Sequence, residues 1–125
     1  MQVHLPHSPS VLLEGMGGSS VPVVVAHGEG RAAFADGSLT AIHNNGLVGM
    51  QYVSTRGEVA QTYPANPNGS EAGVAAVTSE DGRATIMMPH PERIFRSRCM
   101  SWQDKGWGEY SPWMRLFRNA RRFVG

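Results

Sequence analysis

A run of β-branched residues constrains the fold of this chain more than any other feature. In the stretch "VPVVVAHGEGR", residues Val21 to Ala26 are almost continuously apolar, and the run ends abruptly at His27 and Gly28. This pattern is typical of a strand that is buried on both faces of a sheet. In open α/β sheets, ligands bind beyond the carboxyl ends of the strands. The run therefore predicts an interior strand followed by a candidate binding turn.

Size and composition limit the classes of protein that fit. The chain has 125 residues, 41% of them hydrophobic and 17% charged, which predicts one small globular domain. A formal net charge of +1 gives no sign of a nucleic-acid binder, and no apolar run is long enough to span a membrane. The N-terminus has neither the basic nor the apolar region of a signal peptide. A single cysteine, Cys99, excludes a disulfide framework and favours the cytoplasm.

Further elements follow from local patterns. The stretch "DGSLTAIHNNG" predicts a short helix that Ser38 caps and Gly46 ends, and "LVGMQYVS" predicts a strand. The stretch "GVAAVTSEDGRATIMMP" predicts two strands joined at the turn Glu80-Asp81-Gly82. "TYPANPNGSEAG" and "FRSRCMSWQDKGWGEY" are expected to be loops, and "HLPHSP" to be extended or turned, with His4 and His7 as tail residues rather than metal ligands.

The C-terminal segment has the clearest helical pattern. Ser111 is a good N-cap, and Pro112 suits the first helical position. The apolar face is formed by Trp113, Leu116, Phe117, Ala120 and Val124. The basic face is formed by Arg115, Arg118, Arg121 and Arg122. This predicts an amphipathic helix with a basic outer side.

The stretch "MMPHPERIFR" contains a candidate catalytic pair, His90 and Glu92. In an extended segment these two residues point to the same side, and the flanking Pro89 and Pro91 restrict the backbone. A carboxylate beside an imidazole fixes its tautomer and stabilises the imidazolium, which is how a base is oriented to activate a nucleophile. The alternative interpretation is a turn with a surface ion pair.

The remaining candidates are weaker. His27 and Gly28 could bind substrate, because glycines let backbone N–H groups approach a ligand closely, or they could simply end a strand. Arg96 and Arg98 could activate Cys99, but the cysteine lacks the small neighbours of a nucleophile elbow, so an ordinary thiol is favoured. The stretch "NPNGS", residues 66–70, is interpreted as a turn rather than a site.

Four stretches together resemble a known family: "PVVVAHGEGR", "TYPANPNGS", "ATIMMPHPERIFR" and "WGEYSPWMRLFRNAR". They are similar to the C-terminal end of phosphoribosylformylglycinamidine synthase, in the long single-chain form that carries its own glutamine amidotransferase domain. The resemblance covers about residues 8–125. It implies an α/β fold, the second half of a class I amidotransferase, with an open, mostly parallel sheet flanked by helices and a hairpin before the His-Glu motif.

The resemblance also implies a function. The full enzyme uses ATP, Mg²⁺ and glutamine to convert formylglycinamide ribonucleotide into its amidine in purine biosynthesis, and this chain itself would hold no cofactor. A cysteine attacks glutamine, a histidine acts as base and then acid, and a glutamate orients the histidine. The match assigns the last two roles to His90 and Glu92. The expected partners are glutamine and the synthetase domains, with self-association possible and neither nucleic acid nor membrane involved.

This chain departs from the family at the nucleophile, because the family's cysteine lies upstream of the "HPE" motif and no cysteine precedes Cys99. We therefore expect residues 1–125 to be the C-terminal half of the amidotransferase domain and inactive alone. A second hypothesis is a non-catalytic module that binds the rest of the synthetase. A third is a complete hydrolase that uses Cys99.

Overall fold

The computed structural model describes residues 1–26 and 30–125. Within these residues it contains five strands, β1 (Gln2–Leu5), β2 (Ser19–Pro22), β3 (Val48–Val53), β4 (Val74–Thr78) and β5 (Thr85–Met87), and two helices, α1 (Ser38–Asn44) and α2 (Met114–Val124). The strands form one sheet in the order β2-β1-β3-β4-β5. This confirms the predicted mixed α/β fold.

The prediction of a mostly parallel sheet is wrong for the described residues. Each neighbouring pair of strands in this sheet is antiparallel. The hairpin between β4 and β5 was predicted correctly, and its turn is closed by hydrogen bonds from Gly82 N–H to Ser79 O and from Ser79 N–H to Ala84 O, both 2.9 Å long. Antiparallel neighbours can be joined by such tight turns, whereas parallel neighbours need a crossover of about a dozen residues or more.

The β-branched run forms a shorter strand than its pattern predicts. Strand β2 ends at Pro22, and Val24 is 37% exposed, so the run is not a strand buried on both faces. Strand β2 is an outer strand of the described sheet, where proline is tolerated because one side of the strand needs no partner. The residues beyond Pro22 leave the sheet, and Val24 O accepts a hydrogen bond from His90 N–H at 2.9 Å.

Strand β1 was missed, because four residues with one proline nearby carry little sequence signal. It pairs with both β2 and β3, and its Val3 and Leu5 are completely buried. His4 is therefore a strand residue, with Nδ1 3.1 Å from Ser20 Oγ, and not part of a tail. No helix in residues 1–26 or 30–125 is long and apolar enough to cross a membrane.

Helix α2 packs on the sheet through its first turn. Trp113, which precedes the helix, is fully buried, and its indole N–H donates to Pro22 O at 2.7 Å. Leu116 is also buried, whereas Phe117 is 38% and Val124 77% exposed, so the predicted apolar face is buried only at its start. Further along the helix a polar residue, Asn119, is buried instead.

The predicted helix ends are partly right. Gly46 closes α1 as expected, with φ of 67° and its N–H donating to His43 O at 3.0 Å. The N-cap of α1 is Gly37 and not Ser38. Helix α2 starts at Met114, and Ser111 makes the turn before it, where Ser111 Oγ accepts a hydrogen bond from Trp113 N–H at 3.3 Å.

Candidate active site

The segment that carries the candidate pair is fixed through its backbone. After β5, Met88 N–H donates to Ala75 O at 2.9 Å, and His90 N–H donates to Val24 O at 2.9 Å. Pro89 between them is buried. The backbone at His90 is therefore tied to the end of the β-branched run and, through Met88, to β4.

A single helical turn follows at Pro91–Arg93. Proline suits the first position of a helical turn, because its fixed φ is already helical and its missing N–H is not needed there. Arg93 N–H donates to His90 O at 3.2 Å, and Ile94 N–H donates to Pro91 O at 3.1 Å. Ile94 is 1% exposed and belongs to the core, so its burial fixes the end of the turn to the core.

The two candidate side chains meet across this turn. His90 Nδ1 lies 2.8 Å from Glu92 Oε1. The structure thus brings His90 and Glu92 together, but by a different route from the extended segment that the sequence suggested. Both remain accessible, with 34% of the His90 side chain and 54% of the Glu92 side chain exposed. A base that must reach a substrate needs such exposure.

The electrostatics of Glu92 favour its ionised form. Its slight burial raises the pKa, but the hydrogen bond from His90 and the charges of His90 and Arg93 outweigh that effect, so the pKa of Glu92 is lowered from its ordinary value. An ionised carboxylate on Nδ1 selects the tautomer that has its proton on Nδ1. The other ring nitrogen, Nε2, is then a proton acceptor. This is the arrangement of an oriented general base.

An apolar groove lies beside the pair. Glu92, Phe95, Met114 and Phe117 line it, and its volume is about 240 Å³. Phe95 and Phe117 contact each other edge to face, with ring centroids 6.2 Å apart. The carboxylate of Glu92 therefore borders both water and an apolar surface.

Cys99 does not join the pair. It is exposed at the end of the short turn Ser97–Cys99, and no hydrogen bond connects it to His90 or Glu92 in the described part of the chain. The described residues also contain no group of three or more His, Cys, Asp or Glu side chains that could hold a metal ion. The arrangement thus offers an oriented base but no nucleophile bonded to it.

The predicted substrate contacts His27 and Gly28 lie outside the described residues. The residues on either side of them are hydrogen-bonded to two other segments of the chain. Val24 receives the hydrogen bond from His90 N–H. On the other side, Asn68 Nδ2 donates to Gly30 O, and Ala32 N–H donates to Ser70 Oγ at 3.1 Å.

This second anchor is a hydrogen-bonded network, although its sequence predicts an ordinary turn. We call residues 66–70 the asparagine loop. Asn66 is 1% exposed; its amide donates to Ala60 O at 3.1 Å and to Ser70 O at 2.8 Å, and its Oδ1 accepts from Ser70 N–H at 3.1 Å. Two asparagines in five residues were the available signal, because asparagine side chains readily replace backbone partners in turns.

Tyr52 is a buried titratable group associated with this loop. It is fully buried, and its hydroxyl has no partner with hydrogen-bond geometry in the described residues. Burial raises the pKa of Tyr52 to about 12, because the phenolate is poorly solvated there, and the nearby Asn68 side chain opposes the shift only in part.

Known proteins resemble this chain in sequence and in fold. A sequence-family profile described as the CobB/CobQ-like glutamine amidotransferase domain matches residues 1–124. Among solved structures, the chain is similar to one titled "Structure of PurLQS from Thermotoga maritima", with a TM-score of 0.64 and 21% sequence identity. That match covers 99% of this chain and 46% of the other, so this chain spans about half the length of its structural relative.

Proposed function

Since this chain belongs to the CobB/CobQ-like glutamine amidotransferase domain family, we propose that it is the glutamine-hydrolysing part of a phosphoribosylformylglycinamidine synthase. The observation that carries the proposal is the 2.8 Å contact between His90 Nδ1 and Glu92 Oε1 on an anchored turn. The full enzyme would be an ATP- and Mg²⁺-dependent ligase of purine biosynthesis. The single cysteine is consistent with a cytoplasmic setting, where thiols stay reduced.

In the proposed reaction His90 transfers protons and Glu92 orients it. His90 Nε2 takes the proton of a cysteine thiol, and the thiolate attacks the side-chain amide carbon of glutamine. The C–N bond breaks as His90 returns the proton to the leaving ammonia. Water then hydrolyses the thioester, with His90 again as base, and releases glutamate. Ammonia is passed to the synthetase domains, which are the proposed partners.

The thiol is proposed to come from a polypeptide segment outside this sequence, because Cys99 is not bonded to the pair. His27 and Gly28 remain proposed contacts of glutamine. Their neighbours in the chain are anchored by His90 and by the asparagine loop. The site would thus combine a base from this chain with a nucleophile from elsewhere.

The test separates glutamine use from synthesis. In the assembled synthase, His90→Ala should abolish glutamine-dependent synthesis but spare synthesis driven by added ammonia, which bypasses the hydrolytic step. Removing such a base typically lowers the rate by roughly 10⁶-fold. Glu92→Gln should act on the same step but more mildly, because the base is still present. If both activities fall together in folded His90→Ala protein, the pair is structural and the proposal is wrong.

The chain alone provides the control. We expect no measurable glutaminase activity from the 125-residue chain, because a triad without its nucleophile loses about as much rate as one without its base. Turnover by the pure chain that disappears in Cys99→Ser would instead identify Cys99 as the nucleophile.

The alternative of a non-catalytic interaction module is favoured by one observation. Strand β5 is an outer strand of the described sheet, and its Ile86 is 72% exposed. Unpaired edges with exposed apolar side chains promote association with other chains. We therefore expect the chain to self-associate in sedimentation experiments, and Ile86→Lys to reduce this. A compact monomer with a cooperative melt would contradict the prediction.

A further inference from the structure

A second groove lies between α2 and the segment that precedes β2. Its volume is about 690 Å³, which is within the range of small-molecule sites. Arg115, Arg118 and Arg122 line it from the helix, and Tyr110 and Trp107 add aromatic surface. The three arginines are separated by three and four positions and thus share one helix face. The groove is distinct from the one beside Glu92, although Met114 borders both.

One of these arginines, Arg115, is hydrogen-bonded to the backbone of the segment before β2. Arg115 Nε donates to Glu14 O at 3.1 Å. Its guanidinium lies over Gly15, where a Cβ atom would overlap it, and Gly15 has a φ of 73° that favours glycine. This backbone is therefore shaped to receive the guanidinium. Within the described residues the terminal N–H groups of Arg115 make no hydrogen bond, although one of them lies against Gly15.

Two of the three arginines in the groove, Arg115 and Arg118, have no acidic partner within the described residues. Arg118 stacks on the Tyr110 ring with 5.6 Å between its guanidinium carbon and the ring centroid. In the described part of the chain, no carboxylate lies within 4.0 Å of the Arg115 or Arg118 guanidinium, whereas Arg122 pairs with Glu14 at 2.8 Å. A polypeptide partner would call for a longer row of unpaired charge, so two unpaired guanidiniums that line one groove suit a compact dianion better.

We propose that this groove binds a phosphate group of a small molecule between Arg115 and Arg118. Guanidinium groups bind phosphate through paired, charge-assisted hydrogen bonds. The ring of Trp107, which contacts Trp102 edge to face, offers aromatic surface for a base attached to that phosphate, while the Tyr110 ring holds Arg118. Glu109 also lines the groove, and its carboxylate weakens anion binding at that rim. This site lies outside the proposed hydrolytic chemistry and does not depend on it.

The test uses calorimetric titration of the chain with inorganic phosphate, adenosine monophosphate and adenosine. Phosphate and the nucleotide should bind saturably, and adenosine should not. Tighter binding of the nucleotide than of phosphate identifies a nucleotide site, and equal binding identifies recognition of the phosphate group alone. Arg118→Gln should weaken binding by about tenfold or more, the loss expected for a hydrogen bond to a charged group. Glu109→Gln should strengthen it.

Arg121→Gln is the matched control, because Arg121 is an exposed arginine of the same helix that does not line the groove. It should leave binding unchanged within about twofold. Arg118 has no side-chain hydrogen bond in the described residues, so its variant should fold, and circular dichroism checks this.

The proposal is overturned if no phosphate binds saturably or if Arg121→Gln weakens binding as much as Arg118→Gln. It is also overturned if a poly-glutamate peptide binds more tightly than inorganic phosphate and adenosine monophosphate, with the same dependence on Arg118.

Discussion

The His90–Glu92 turn and the asparagine loop hold polar side chains in opposite ways. In the turn the side chains are accessible and bond mainly to each other, while the backbone and the buried Ile94 hold the segment in place. In the loop the side chains themselves are buried and replace backbone partners. Side chains that must contact a substrate are thus positioned by the backbone and the buried residues next to them, and stay accessible. Side chains that fix the backbone conformation are themselves buried.

Mutations in the His90–Glu92 turn and in the asparagine loop should have different consequences. Variants in the turn should change activity and leave stability nearly intact, because their side chains are partly exposed and bond to each other. Variants in the asparagine loop should change stability first. They would affect activity only indirectly, by releasing residues 30–32, which the loop holds.

The largest stability effect should come from Asn66→Ala. The change removes three hydrogen bonds and leaves Ala60 O without a partner, while Ser70 O keeps the Gly73 N–H and Ser70 N–H keeps Asn68 Oδ1. Each lost hydrogen bond costs about 0.5–1.5 kcal/mol, and the buried carbonyl left unsatisfied costs about 1–3 kcal/mol. We expect a loss of roughly 3 kcal/mol in the free energy of unfolding, measured by urea denaturation.

His90→Ala is the counterpart in the turn. Its side chain is one-third exposed and bonds to an exposed carboxylate, so we expect a loss of less than about 1 kcal/mol. If His90→Ala destabilised the chain as much as Asn66→Ala, the distinction between an accessible pair and an enclosed network would be wrong.

A second, smaller effect should appear at high pH and concerns Tyr52. Its folded pKa of about 12 lies above the ordinary tyrosine value of about 10. The folded state therefore holds this proton more tightly, and the resulting stability is complete below about pH 10 and is lost as the pH rises toward about 12. The total loss should stay below roughly 3 kcal/mol, since the shift spans about two pH units and each contributes up to about 1.4 kcal/mol.

Tyr52→Phe isolates this contribution, because it removes the phenol and keeps the ring. The difference in unfolding free energy between the two proteins should be constant from pH 7 to about 10 and then change in favour of the variant. Absorbance of tyrosinate in the folded protein should show one group titrating late. A constant difference up to pH 12 would mean that the hydroxyl is hydrated in the folded state.

Several elements of the fold were predictable because their signals are local. Strand β3, the β4–β5 hairpin and the end of α1 at Gly46 each depend on a few adjacent residues. Strand β1 and the direction of the strands were not predictable in this way. Four residues give little periodicity, and whether neighbouring strands run parallel depends on pairings between distant parts of the chain.

The candidate site was also predictable only in part. The spacing of His90 and Glu92 within "HPE" was enough to predict that they meet, although the responsible backbone is a turn. The asparagine loop was underestimated, because a turn and a buried network have the same composition. Only the tertiary partners, Ala60 for Asn66 and Ala32 for Ser70, distinguish them.

The smallest effect should come from the acid titration of Glu92. Its pKa is lowered in the folded state, so the folded protein holds this proton less tightly than the unfolded chain. The resulting stability is present above the ordinary glutamate pKa of about 4.3 and is lost as the pH falls through the lower folded value. Because more than half of the side chain is exposed, solvent screens the interaction, and the contribution should stay below about 0.5 kcal/mol.

Urea denaturation of the original chain and of Glu92→Gln between pH 7 and 3 should show a small stability advantage of the original chain that vanishes in acid and shrinks in 1 M salt. An advantage that grew as the pH fell, or that exceeded the effect of Asn66→Ala, would show that Glu92 is as enclosed as the asparagine loop.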